Sequence, residues 1–205
     1  MKNRREAQRL LDEADLLFPA EAVNAAVERM ARDIAARLAD EFPVVLSVMG
    51  GAAVFTGRLL PLLAFPLEFG AIEVTRYNND IQGRDIAWRL APRDNVRDRT
   101  VLVLDDILDE GITLAAIRAK LTEMGAARVL SAVFADKDLG RAKPAQADFV
   151  GVTVPNRYVF GFGMDAYGLW RNLPAIYALR EQKPESPQIS ADKRRSVEED
   201  VSGPK

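Results

Sequence analysis

VLVLDDILDEGITL, residues 101–114, joins an apolar run, an acidic crest and the start of a helix in one short segment. The run Thr100-Val101-Leu102-Val103-Leu104 is continuously apolar after its first residue, as in a strand covered on both faces. It ends in Asp105-Asp106-Ile107-Leu108-Asp109-Glu110-Gly111, and a helix is expected over residues 112–124, stopped by Gly125. A further buried strand is expected over 128–135. Strand, helix and strand in this order predict an α/β fold: a doubly wound, mainly parallel sheet with right-handed crossovers and flanking helices.

The flanking sequence extends the pattern. Val44-Val45-Leu46-Ser47-Val48-Met49 is a short β-branched run closed by Gly50-Gly51, and residues 52–63 read as helix. Ile72-Glu73-Val74-Thr75 alternates like a strand, as do residues 85–90, and polar stretches at 77–84 and 91–99 complete a hairpin-like mobile flap. Over residues 4–38 the apolar side chains, among them Leu10, Leu11, Leu16, Leu17, Val23, Val27, Met30, Ile34 and Leu38, recur at threes and fours. Pro19 divides them into two helices. Residues 148–154 and 158–162 read as two more strands or a hood, rich in aromatic side chains. Residues 181–205 hold no aromatic residue and a near balance of charges, so a disordered tail is expected after a single domain ending near residue 180.

Composition narrows the chemistry. The 205 residues are 48% hydrophobic and 28% charged, a profile of one water-soluble domain able to bury about 70% of its unfolded surface. There is no Cys and no His, which excludes thiolate zinc sites, cysteine nucleophiles, Ser-His triads and the usual neutral-pH proton shuttle. Catalysis must fall to carboxylates, Lys, Tyr, hydroxyls or backbone. The net charge of -2 supplies no positive field for nucleic acid or anionic lipid, so neither is an expected partner. The N-terminal residues lack an apolar signal region, and runs such as Val44–Met49 are too short to cross a bilayer, so a cytoplasmic location is expected.

In open α/β sheets, ligands bind beyond the carboxyl ends of the strands, which is where 105–113 falls. The turn from Asp109 to Thr113 feeds a helix N-terminus, with Gly111 permitting close approach and Thr113 adding a hydroxyl, so a phosphate could be held without Lys or Arg. Adjacent Asp105 and Asp106 repel unless hydroxyl donors or a cation intervene, and a vicinal diol with nearby Mg2+ supplies both. Diol and phosphate one short loop apart describe a ribose 5-phosphate. A strand with a polar end and a helix with an acidic cap would account for one or two of these features, but not for the set.

At these residues the chain resembles the type I phosphoribosyltransferases, whose signature has this apolar-run, double-acid, x-x-Asp-x-Gly-x-Thr form. Val48-Met49-Gly50-Gly51, Phe134-Ala135-Asp136-Lys137 and the stretch from Asp148-Phe149-Val150-Gly151 through Gly163-Met164-Asp165 to Arg171-Asn172-Leu173-Pro174 narrow the resemblance to the hypoxanthine-guanine phosphoribosyltransferases, over about residues 40–180. The resemblance implies transfer of a phosphoribosyl group from phosphoribosyl pyrophosphate to a 6-oxopurine, with Mg2+, in a homodimer or homotetramer. It implies that Asp105, Asp106, Asp109, Glu110, Gly111, Ile112 and Thr113 hold the ribose 5-phosphate, Glu110 and Ile112 through their backbone. It further implies that Met49, Gly50, Gly51 and Arg171 meet pyrophosphate, and that Asp109 is the general acid or base near purine N7. Lys137 would donate to the 6-oxo group, Tyr158 stack on the base beside Val159, and Asp165, with Asp105 and Asp106, hold the metal.

Residues 75–99 would form the lid that keeps out water, headed by Arg76-Tyr77 where the family commonly has Ser-Tyr. Met49 stands where many relatives have Lys. Two other readings are a xanthine-preferring enzyme and an RNA-binding regulator on the same fold, the latter disfavoured by the acidic pI of about 5.4. Adenine is disfavoured because Lys137 only donates.

Overall fold

A computed structural model describes residues 3–76 and 86–180. Its centre is β5 (Thr100–Leu108), and the alternation of its side chains explains why its first half is apolar throughout. Leu102 and Leu104 enter one core layer with Val45, Phe55, Leu59 and Phe134, while Val101 and Val103 enter the other with Leu114, Ile117 and Leu121. Both faces are covered, and each fully buried Leu or Val contributes about 1.5–3 kcal/mol relative to exposure.

The expected end of this strand at Leu104 is corrected. Pairing with β6 (Arg128–Lys137) continues through Asp105↔Val133 and Ile107↔Ala135 to Leu108↔Asp136. Acidic side chains break an apolar pattern, but they do not interrupt a backbone ladder. β6 likewise runs two residues beyond Ala135 and ends on Lys137.

Around this pair lie β2 (Val44–Met49), β3 (Glu68–Arg76), β4 (Ile86–Leu90) and β7 (Phe149–Val154), giving a six-stranded sheet in the order β4-β3-β2-β5-β6-β7. All neighbours are parallel except β3 and β4, the arms of the expected hairpin. Helix α2 (Ala20–Leu38) buries Val23, Val27, Met30, Ile34 and Leu38 on one face of the sheet, beside α3 (Ala53–Leu59). Helix α4 (Ile112–Glu123) covers the other face. The helix expected to reach residue 63 instead tightens to a 3-10 turn at Leu60–Leu62, where Pro61 has no amide hydrogen to continue the α pattern.

The N-terminal region departs further from expectation. Helix α1 (Arg4–Asp12) opens with a capping box between Asn3 and Glu6 and stops before Leu16. Leu16 and Leu17, read as helical, lie in β1 (Asp15–Phe18), which pairs antiparallel with β9 (Ile176–Ala178). With β8 (Val159–Phe160) these form a second sheet, β1-β9-β8, here called the hood; of the two segments read as strands or a hood, 148–154 instead joins the main sheet as β7 and 158–162 contributes β8. Four residues are too few to show a period of their own, and the partner that makes them a strand lies at the far end of the described chain. The polar flap residues 77–84 and the tail lie outside the described residues. No helix among the described residues is long and apolar enough to cross a membrane.

Candidate active site

The carboxyl ends of β2 and β5 open onto a cavity of about 420 Å3 lined by Met49, Gly50, Gly51, Asp105, Asp106, Asp109, Gly111, Thr113, Asp165 and Arg171, among others. Its floor is the turn into α4, where Gly111 has φ +79°, a left-handed conformation that a side chain rarely adopts. A Cβ there would also press on Ala145 at 3.2 Å. The first-turn amides of α4 have no carbonyl partner within the helix and point outward from its N-terminus, where the helix dipole favours an anion.

Opposite, the Met49–Gly50 peptide is cis, and Gly51 lies so close to Asp106 that a Cβ would fall 1.9 Å from its Oδ2. The Asp105 carboxylate accepts from the Asp106 amide at 3.0 Å, and the Asp106 carboxylate from the Ile107 amide at 2.9 Å. Burial pushes the Asp106 carboxyl above the usual carboxylate range, against the hydrogen bond with Asp105, the Arg171 guanidinium and nearby amides, which pull it down. Arg171 reaches in from the hood: it lies 2.5 Å from Asp165 Oδ1 and 3.9 Å from Asp106 Oδ2, and it donates to the Gly163 carbonyl at 2.6 Å.

A second cavity, of about 270 Å3, adjoins the first and shares Asp106, Ile107, Asp109 and Asp165 with it. Its remaining walls are Lys137, Tyr158, Val159 and Met164. Lys137, at the end of β6 and only 12% exposed along its side chain, donates to Asp109 Oδ2 at 3.0 Å. The tyrosine ring stands at the rim, 45% exposed, and stacks on Tyr167 at 5.5 Å between centroids.

The donor set suits a hard cation. Asp105, Asp106 and Asp165 offer carboxylate oxygens at one cavity, while the described residues hold no preformed cluster of three such groups around a single point. Mg2+ is characteristically held by one or two carboxylates together with waters and substrate phosphates, which fits a cation arriving with a phosphorylated ligand.

Residues 14–167 match the family of phosphoribosyl transferase domains. Over 160 residues the chain is 32% identical to the hypoxanthine-guanine-xanthine phosphoribosyltransferase of Tritrichomonas foetus, covering 76% of this chain and 87% of that one. The chain belongs to the hypoxanthine-guanine phosphoribosyltransferase family. The hypoxanthine-guanine phosphoribosyltransferase of Bacillus subtilis is 29% identical over 166 residues, spanning 80% and 92% of the two chains. A solved hypoxanthine phosphoribosyltransferase from Staphylococcus aureus shares the fold, with a TM-score of 0.76 over 84% of this chain and 95% of its own, at 22% identity.

In this phosphoribosyltransferase, the candidates Met49, Gly50, Gly51, Asp105, Asp106, Asp109, Gly111, Thr113, Asp165 and Arg171 meet at the first cavity, and Lys137, Tyr158 and Val159 at the second. Glu110 and Ile112 flank Gly111 within the turn without lining either cavity; the Glu110 carboxylate turns to Arg141 at 3.4 Å. Arg76 ends β3, and Tyr77 lies outside the described residues. Sequence reasoning assigned no role to Met164, which lines the second cavity, or to Lys143, which is largely covered in the loop after β6. Both sit in irregular segments with no periodicity to read, and although Met164 falls within the stretch that carries the resemblance, nothing there gave it a role of its own.

Proposed function

We propose that this enzyme transfers the 5-phosphoribosyl group from phosphoribosyl pyrophosphate to a 6-oxopurine, hypoxanthine or guanine, releasing pyrophosphate. The observation that carries this reading is the Lys137–Asp109 pair, 3.0 Å apart where the two cavities meet. A 6-oxopurine presents its 6-oxygen, an acceptor, and N7 side by side on one edge, whereas adenine presents an amine beside N7. An ammonium donor next to a carboxylate complements the first edge when N7 carries a proton, and Lys has no acceptor to offer the second.

In this reading the ribose hydroxyls sit on Asp105 and Asp106, and the 5-phosphate sits on the amides from Asp109 to Thr113, with backbone at Glu110, Gly111 and Ile112. Pyrophosphate lies between Gly50-Gly51 and Arg171, whose planar guanidinium suits paired phosphate oxygens. Mg2+, when bound by Asp165 with Asp105 or Asp106 and substrate oxygens, would supply charge for the leaving group. As the bond from the anomeric carbon to pyrophosphate breaks and the bond to the purine nitrogen forms, positive charge develops on the ring. Asp105 and Asp106 lie beneath that centre, and Asp109 manages the proton at N7. Tyr158 covers one face of the base beside Val159.

Xanthine is a second reading with its own support, since the relative from Tritrichomonas foetus bears xanthine in its name and xanthine keeps the same 6-oxo and N7 edge. The test is a panel: purified protein, Mg2+ and phosphoribosyl pyrophosphate with hypoxanthine, guanine, xanthine, adenine, orotate and uracil. Turnover of at least one 6-oxopurine about a hundredfold above adenine is expected, because the amine leaves Lys137 without an acceptor. No turnover of any 6-oxopurine defeats the proposal.

A further inference from the structure

Beyond the residues that face the two cavities, one largely covered cation ties their supports together. Lys143 lies in the loop between β6 and β7, and its side chain is 9% exposed. Its ammonium donates to the Leu108 carbonyl at 2.8 Å and to Asp136 Oδ1 at 2.5 Å. Leu108 and Asp136 are register partners at the ends of β5 and β6. Each is followed directly by a residue of the base cavity: Asp109 after Leu108, and Lys137 after Asp136. The same residue also touches the phosphate turn, for its Cβ is 3.2 Å from where a Cβ on Gly111 would stand.

We propose that Lys143 is a positioning residue that clamps the ends of β5 and β6 at fixed separation and so sets the spacing of Asp109 and Lys137 against the purine edge. The inference rests on the proposed 6-oxopurine reading of that pair. Two features distinguish the clamp from an ordinary surface ion pair. One of its two acceptors is a neutral main-chain carbonyl at the strand terminus, so the ammonium fixes backbone as well as charge. It is also shielded from water, where a hydrogen bond to a charged group has greater weight than at an exposed site. Strand ends are where a ladder frays, and Leu108↔Asp136 is the last register pair between β5 and β6. Without the clamp, the end of β5 that carries Asp109 would be joined to β6 by that last register pair and the Lys137–Asp109 contact, while Lys137 keeps its pairing with Val154 of β7. The Lys143 stem supports Gly111 by packing rather than charge, so the two duties of the residue can be separated chemically.

Lys143→Met keeps the stem and removes the ammonium. Steady-state kinetics with hypoxanthine or guanine at saturating phosphoribosyl pyrophosphate and Mg2+ should show kcat/KM for the base reduced about tenfold, since sub-ångström misplacement of positioning groups is costly. KM for phosphoribosyl pyrophosphate should stay within about twofold, because the packing on Gly111 survives. An unchanged kcat/KM for the base in the folded variant overturns the proposal. So does a parallel rise in KM for both substrates, which marks general loosening of the loop. Should Lys143→Met not fold, Asp136→Asn decides: its carboxylate is 34% exposed and its replacement is nearly isosteric. A loss of about threefold in kcat/KM for the base alone supports the clamp, and no loss overturns it. A wild-type enzyme inactive on every 6-oxopurine defeats the underlying reading instead, before any variant is compared.

Discussion

Asp109 and Lys137 pair at 3.0 Å, so on the proposed reading a purine would exchange one ion pair for two hydrogen bonds to the base. Asp109→Asn keeps the shape of the turn and its amides but loses the proton acceptor. Turnover should fall about a hundredfold or more, while phosphoribosyl pyrophosphate binding, measured by calorimetry with Mg2+, stays near wild type. Loss of both together would mean that the carboxylate holds the sugar and not the base. Lys137→Met removes the donor without much change in volume. KM for hypoxanthine should rise about tenfold or more, and preference over adenine should narrow, as competition assays would show; equal KM would assign Lys137 a purely structural part. Asp109 was legible in the sequence because its distance from the end of a buried apolar run places it on a strand-to-helix turn. The pairing was not legible, because Asp109 and Lys137 are 28 residues apart and only the parallel register of two strands brings them side by side.

The elements around the site work by close approach of backbone. The loop after β2 lies against the end of β5, since a Cβ on Gly51 would sit 1.9 Å from Asp106 Oδ2. The hood lies against that loop in turn, since a Cβ on Gly163, at φ +104°, would sit 2.2 Å from the Gly51 carbonyl. Gly51→Ala must therefore displace either the loop or the carboxylate. KM for phosphoribosyl pyrophosphate should rise at least tenfold with a melting temperature lowered by only a few degrees, because the collision is at the surface of the cleft and not in the core. An unaltered KM would show that the glycine pair is only a tight turn. The glycine pair, the turn at Gly111 and the order of the central elements could be read from sequence because runs of buried β-branched residues and glycine punctuation are local signals. β1 and β9 could not, because each is a strand only by virtue of the other. The length of β5 was underestimated for a related reason: its last four residues are held by main-chain pairing that side-chain polarity conceals.

At the scale of the whole molecule, the hood is fastened to the core by aromatic packing and tied together within itself by charge. Phe162 lies 4.4 Å from Phe134, which lies 5.6 Å from Phe55, a line of rings from hood to α3. Within the hood, Asp15 of β1 joins Arg180 at 2.9 Å and Arg157 at 2.6 Å, and these hydrogen bonds, the one to Arg180 first, hold its carboxyl below the usual range despite some desolvation. A depressed folded-state pKa contributes stability that is present above the unfolded value and is lost as pH falls through the folded one. The difference in melting temperature between wild type and Asp15→Asn should thus be a few degrees at most near neutral pH and shrink below about pH 3.8, the ordinary value for this group, and in high salt. A difference that grows on acidification would refute the assignment. Ligand binding tests the assembled cleft, because its walls come from β2, β5, α4 and the hood together. Phosphoribosyl pyrophosphate with Mg2+ at about a hundred times its Kd should stabilise the fold by about 2.7 kcal/mol, or roughly 5–10 °C for a domain of this size. Removing the cation with a chelator should abolish most of that shift, since Asp105, Asp106 and Asp165 would then face the phosphates with Arg171 as the nearby positive charge. A melting curve indifferent to the sugar phosphate in both conditions would mean that these elements, though brought together, do not enclose it.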